Sequence, residues 1–174
     1  MNNFIDKPQA DECSEYFYKY INKVPIGKHV FEFMQEVDAD LISTLLALPA
    51  EKHNYAYADG KWTVQDLFQH LIDAERIFAY RALCIARNDK TSLPGFEENE
   101  YAKEASNCLP KLEKQIEEFK LLRESNLLFF SSLNRKSLER KGIANNKPIS
   151  VQAIMFIMVG HVQHHLEVLK GRYL

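Results

Sequence analysis

Hydrophobic side chains recur at helical spacing through four long stretches of this chain, and that periodicity restricts it to an all-helical fold. Val30, Phe33, Met34, Val37, Leu41, Leu45 and Leu48 mark a helix over about 29–48, stopped by Pro49. A second helix begins at Thr63, where Asp66 completes a capping-box pattern, and runs to about Arg87. Leu67, Leu71, Ala74, Phe78 and Ile85 form its apolar side. A third starts at Pro110, a favoured first helical residue, and reaches about Leu133. The last runs from the N-cap Ser150 to about Lys170. A shorter leading helix over about 11–23 carries Tyr16, Phe17, Tyr20 and Ile21, and Pro25 and Gly27 end it. β-branched runs of period two are absent. Residues 88–108, with Pro94-Gly95 and the acidic tip Glu97-Glu98-Asn99-Glu100, read as a loop, as does the polar stretch 134–148. The expectation is one domain over 1–174, an all-α four-helix bundle with a short extra N-terminal helix.

Charge and composition remove several function classes. A formal net charge of −2, with no block of Lys/Arg interleaved with aromatics, gives no pull toward nucleic acid or anionic membranes. The longest apolar run, Val151 to Val159, is too short to span a bilayer and contains Gln152. The first residues lack a basic n-region followed by an apolar run, so no signal peptide is expected. Cys13, Cys84 and Cys108 are odd in number, widely separated and form no CxxC pair; they read as buried or half-buried thiols in a reducing cytoplasm.

The histidines carry the chemistry. At about 100° per residue, Ile154, Met158, His161, His165 and Val168 of the last helix fall on one narrow stripe. His161 and His165 are therefore one turn apart on the face that should enter the core, where both can reach one ion. Paired imidazoles in an apolar core are costly unless their ring nitrogens find partners, and a metal ion supplies one. The alternative is a pair of satisfied structural histidines. His70 lies at the edge of the buried side of the helix that starts at Thr63, facing a groove between helices. Together, His70, His161 and His165 give three nitrogen ligands for a divalent ion with positions left open, the pattern of a catalytic rather than a closed structural site. Zinc is the simplest occupant; nickel, iron, manganese or cobalt accept the same ligands.

Three further residues invite two readings each. Arg81, three turns after His70 on nearly the same azimuth, either pairs with a bundle carboxylate or anchors an anionic substrate or thiol cofactor. Asp73 either orients a ligand histidine or is a solvated helix residue. Glu98, with Glu97 and Glu100, either supplies an acid or base near the ion or belongs to a solvated acidic loop. His29, His53 and His164 read as surface or incidental.

The ordered set Lys61-Trp62-Thr63-Val64, His70-Leu71-Ile72-Asp73-Ala74-Glu75, Arg81, Leu93-Pro94-Gly95-Phe96 and His161-Val162-Gln163-His164-His165-Leu166 resembles the DinB/YfiT-like superfamily, whose members are regarded as metalloproteins. Carried over, the family pattern assigns the metal ligands to His70, His161 and His165. The resemblance implies a four-helix bundle with the metal at one end of a cleft, and often a homodimer. It also implies, for some members, transfer of bacillithiol, mycothiol or glutathione to small electrophiles. Two functions follow as expectations: a metal-dependent transferase or hydrolase acting on a small molecule, or a non-enzymatic, stress-associated bundle stapled by its ion. A plain helical dimer with structural histidines is the third reading.

Overall fold

The computed structural model describes residues 5–174. A 3-10 turn at Glu15–Phe17 leads into the single-turn helix α1 (Tyr18–Ile21). Helix α2 (Val30–Leu46) and helix α3 (Val64–Ala86) follow. Next come α4 (Glu98–Ala105) and α5 (Leu112–Ser131). The short α6 (Arg135–Leu138) precedes a hairpin of β1 (Lys141–Ala144) and β2 (Lys147–Ser150), and α7 (Val151–Arg172) closes the chain. The four long helices α2, α3, α5 and α7 form the bundle: α2 and α3 both pack on α7, and α5 packs on α3 and α2. No helix of the described residues is long and apolar enough to cross a membrane.

Caps set the starts of the two helices that carry the histidines. Thr63 Oγ1 accepts from Asp66 N at 3.1 Å while Asp66 Oδ2 accepts from Thr63 N at 3.0 Å, the reciprocal box the sequence implied. Ser150 Oγ accepts from Ala153 N at 2.9 Å and donates to Glu12 Oε2 at 2.6 Å. Glu12 also accepts from Ser150 N through its backbone carbonyl at 2.8 Å. That commitment of residue 12 to the start of α7 explains why the leading helix is much shorter than the expected 11–23. Pro110 likewise stands outside α5, which begins at Leu112.

Two stretches expected to be loops contain regular structure. α4 lies inside 88–108; only Ala102 of its eight residues is buried, too small an apolar stripe to show as periodicity. The 134–148 stretch holds α6 and most of the hairpin. Asn145 and Asn146, at φ 49° and 59°, form its two-residue turn between Ala144 and its partner Lys147. Asparagine tolerates this left-handed conformation, which primed hairpin turns require. Strands of four residues are too short for alternation to be read from sequence. The hairpin is stitched to the segment before α4, since Leu93 N donates to Ile143 O at 2.9 Å and Asn145 N to Leu93 O at 3.0 Å.

Helix α7 is not merely striped. Of Val151 to Val162, every residue but the half-buried Gln152 is buried. The reason is a further neighbour, α1, which covers the side of α7 that the bundle leaves open. Gly160 permits this, because a Cβ there would run into the Tyr20 backbone carbonyl.

The core falls into two hydrophobic clusters along the bundle. One gathers Met34, Phe78, Ile154 and Met158 with the α1 residues; the other gathers Leu41, Leu67, Phe119 and Leu166. Between them lies a layer of buried polar groups. Arg123 of α5 donates through Nη1 to Glu75 Oε2 at 2.9 Å and Oε1 at 3.1 Å, and through Nε to Asp38 Oδ1 at 3.1 Å. Asn126 Nδ2 donates to Glu75 Oε1 at 2.7 Å.

Candidate metal centre

The same polar boundary holds the three histidines. α3 presents His70 and α7 presents His161 and His165, one turn apart. His70 Nε2 and His165 Nε2 each lie 3.1 Å from His161 Nε2. The three ligand atoms all fall within 4.8 Å of one another. Two nitrogens bound to one zinc ion at about 2.0–2.1 Å are themselves roughly 3 Å apart. The donor set therefore fits a single divalent ion.

Its protonation state fits as well. Burial pushes His70 down to about 4, with Glu98 acting weakly the other way. Burial, then His70, His164 and Lys19, brings His165 to about 3. His161 is held well below the ordinary histidine range by burial, by the neighbouring histidines and by the Arg123 guanidinium. All three rings are thus neutral at pH 7, and neutral imidazole is the form that binds metals. Each neutral ring has one N–H, so His161 Nε2, in contact with both His70 Nε2 and His165 Nε2, is satisfied without an ion only by particular tautomers. One feature departs from the usual metal-site pattern: His165 Nδ1 is buried with no hydrogen-bond partner among the described residues.

Aromatic rings fix the imidazoles. Trp62 lies over His70 at 4.8 Å between ring centroids, and Tyr20 meets His161 edge-on at 5.2 Å. A cavity of about 310 Å³ opens from the triad, a size suited to a small molecule. Along α3, Ala74, Phe78 and Arg81 line it beyond His70; Phe17 of the N-terminal turn, Glu98 of α4 and Ile149 of β2 wall the rest.

The other candidate residues separate clearly. Arg81 is buried, yet it has no carboxylate partner among the described residues; Nη2 donates to the Pro94 carbonyl at 2.6 Å. The expected salt bridge exists elsewhere in the bundle, at Arg123. Glu98 is not in a loop but opens α4 and lines the cavity, its side chain exposed. Asp73 is half-buried, accepts from Gln69 Nε2 at 3.0 Å and does not line the cavity. His164 is half-buried rather than on the surface: it lines the cavity and packs edge-on against Tyr20 at 5.6 Å, outside the triad. His29 caps α2, its Nδ1 accepting from Phe31 N at 3.3 Å, and the His53 carbonyl accepts from Gln65 N at 3.1 Å. Cys13 is buried and Cys84 half-buried as expected, whereas Cys108 is exposed.

The Asp38–Glu75–Arg123–Asn126 layer was not foreseen. Its signal was present, since Asp38 interrupts the apolar face of α2 beside Val37, but a lone helical Asp does not reveal its partner on another helix.

The model of the DinB superfamily matches residues 34–169, a span that contains the whole triad. A protein of Oceanobacillus iheyensis described as a "putative metal-dependent hydrolase" is 23% identical over 163 residues, covering 85% of this chain and 93% of that protein. A Geobacillus kaustophilus protein with the same description is 27% identical over 131 residues, 73% of this chain and 72% of its own length. The fold is similar to that of YfiT from Bacillus subtilis, described as "a probable metal-dependent hydrolase with an unusual four-helix bundle topology". The TM-score is 0.72 at 17% identity, over 95% of this chain and 90% of that one.

Proposed function

The chain belongs to the DinB superfamily, and on that premise we propose that it is a metal-dependent hydrolase of small molecules whose ion is held by His70, His161 and His165. The observation that carries this reading is the convergence of three neutral imidazoles, two buried and that of His165 half-buried, at the inner end of an open cavity. Zinc or nickel suits the ligands best, with iron, manganese or cobalt next. A divalent ion there supplies Lewis acidity and makes a water or thiol nucleophilic at neutral pH. The chain's own residues supply the rest. Trp62 and Tyr20 hold the imidazole planes, Phe78 and Ile149 exclude water from the inner cavity, and Glu98, beside Glu97, is a carboxylate that can accept a proton there.

Transfer of a low-molecular-weight thiol to an electrophile is the second reading. It is favoured by the exposed position of Glu98 and by the absence of any carboxylate from the metal-ligand cluster among the described residues. A thiol is acidic enough to be activated without a base pressed against it.

Elemental analysis of untagged protein, beside a His70→Ala variant, tests the centre. One divalent ion per chain, lost in the variant, is expected. Turnover of p-nitrophenyl esters, and of 1-chloro-2,4-dinitrobenzene with and without added thiol, then separates the two activities. Protein that takes up no metal after reconstitution would sink both.

A further inference from the structure

Arg81 is 6% exposed, and a guanidinium so buried ordinarily sits against a carboxylate. Here one N–H meets a backbone carbonyl, and the guanidinium carbon lies 5.8 Å from each of the Phe78 and Phe96 ring centroids. Burial lowers its pKa, and no neighbouring acid acts to raise it again. Glu97 and Glu98 line the same cavity, but neither forms an ion pair with it. Arg81 therefore lines the cavity with a positive charge that no carboxylate among the described residues pairs.

Its position relative to the triad is fixed by α3. His70, Ala74, Phe78 and Arg81 follow one another at steps of four, four and three and line one wall. The Phe78 ring is 6.2 Å from the His161 ring and 5.8 Å from the Arg81 guanidinium carbon. Laid end to end, these contacts put the guanidinium within about 12 Å of the imidazole. Between the histidines and the guanidinium the wall is Ala74 and Phe78, with Phe17 and Ile149 also lining the cavity.

We propose that Arg81 is the binding residue for the carboxylate of the substrate, and that the substrate is a small monoanionic molecule with an apolar or aromatic middle and its reacting group at the histidines. This deepens the hydrolase reading and rests on it for the placement of the reacting end. A monoanion matches one guanidinium, whereas a phosphate dianion would add a second negative charge in a cavity that already holds Glu97 and Glu98. The Pro94 carbonyl occupies one donor of a five-donor group, so a carboxylate can be bound without displacing it.

The test is calorimetric titration with 3-phenylpropionate, its uncharged amide 3-phenylpropionamide, and phenyl phosphate. The titrations use the purified protein and the His70→Ala, Arg81→Met and Arg81→Lys variants, with melting followed for each. The carboxylate should bind about tenfold or more tighter than the amide, and tighter than phenyl phosphate. The preference should persist in His70→Ala, vanish in Arg81→Met and survive in part in Arg81→Lys. Binding by none of the probes, equal binding of acid and amide, or a preference for phenyl phosphate would overturn the proposal. So would a preference kept in Arg81→Met and lost in His70→Ala, which would assign the carboxylate to the metal. Loss in both Arg81 variants with a lowered melting temperature would make Arg81 a clamp on the Pro94 segment and likewise overturn it. Wild-type protein that binds the carboxylate through Arg81 yet takes up no metal on reconstitution would instead sink the hydrolase reading and leave the Arg81 site standing.

Discussion

Replacing Arg123 by methionine would strand two carboxylates in the middle of the bundle. The side chains of Arg123 and Glu75 are 4% and 2% exposed, and that of Asp38 is 13% exposed. The change removes two hydrogen bonds to Glu75 and, at Asp38, one hydrogen bond and the Nη2 ion-pair contact, leaving Glu75 only the amide of Asn126. Breaking a buried ion pair from one side costs about 3–5 kcal/mol, because the remaining charge is left desolvated. In a chain of this length each kcal/mol lowers the melting temperature by about 2–4 °C, so the fall should be roughly 6–20 °C. The triple variant Arg123→Met, Glu75→Gln, Asp38→Asn removes every charge while keeping an acceptor for Asn126, and should recover at least half of the loss. Urea unfolding followed by circular dichroism gives all three stabilities. An Arg123→Met protein within about 1 kcal/mol of wild type would refute the buried-network argument, since exposed ion pairs are worth no more than that.

The same layer has a pH signature. Burial, with Glu75 adding to it and Arg123 opposing, raises Asp38 to about 6. Between the ordinary carboxylate range and that value the folded state binds the extra proton, so this group's contribution to stability falls as pH rises from about 4 to 6. Wild type minus Asp38→Asn should show that fall, and a flat difference curve would refute the assignment. The buried histidines act in the opposite direction. Their folded pKa values are depressed, so metal-free protein should lose stability as pH drops below about 6.5, less steeply in His70→Ala. Equal slopes in the two proteins would contradict the burial of that ring. His161→Ala or His165→Ala should abolish metal uptake while His164→Ala keeps most of it; equal loss in all three, by elemental analysis, would place the ligand set wrongly. Gly160→Ala should cost about 1–3 kcal/mol by driving the Tyr20 backbone off α7. It should also weaken metal retention by releasing the ring that braces His161, and a stable variant with normal retention would show α1 to be dispensable.

The long elements were readable because each is set by local physics. Thr63 and Ser150 announce their helices through side-chain caps that act within three residues. The apolar spacing of α2 and α3 follows from 3.6 residues per turn. The metal-ligand candidates were legible for the same reason: His161 and His165 share a face by spacing alone, and His70 borders the buried side of its own helix. What surrounds them was decided in three dimensions. No pattern within α5 says that Arg123 will meet Glu75 of α3 and Asp38 of α2, because ion pairing across helices depends on register between them. Of the two readings of Arg81, a bundle carboxylate partner or an anchor for an anion, packing supplied no carboxylate but a backbone carbonyl and two phenyl rings. The hairpin and α4 are too short to stabilise themselves. They exist because Leu93 pairs with the hairpin and Ser106 bonds to Asp66 of α3. By itself the amino-acid sequence determined the helices and the histidines that could share an ion, since both depend on near neighbours in the chain. The depth of the cavity, the unpaired guanidinium of Arg81 and the charged layer behind His161 were decided by tertiary structure, because they arise from contacts between different elements of the chain.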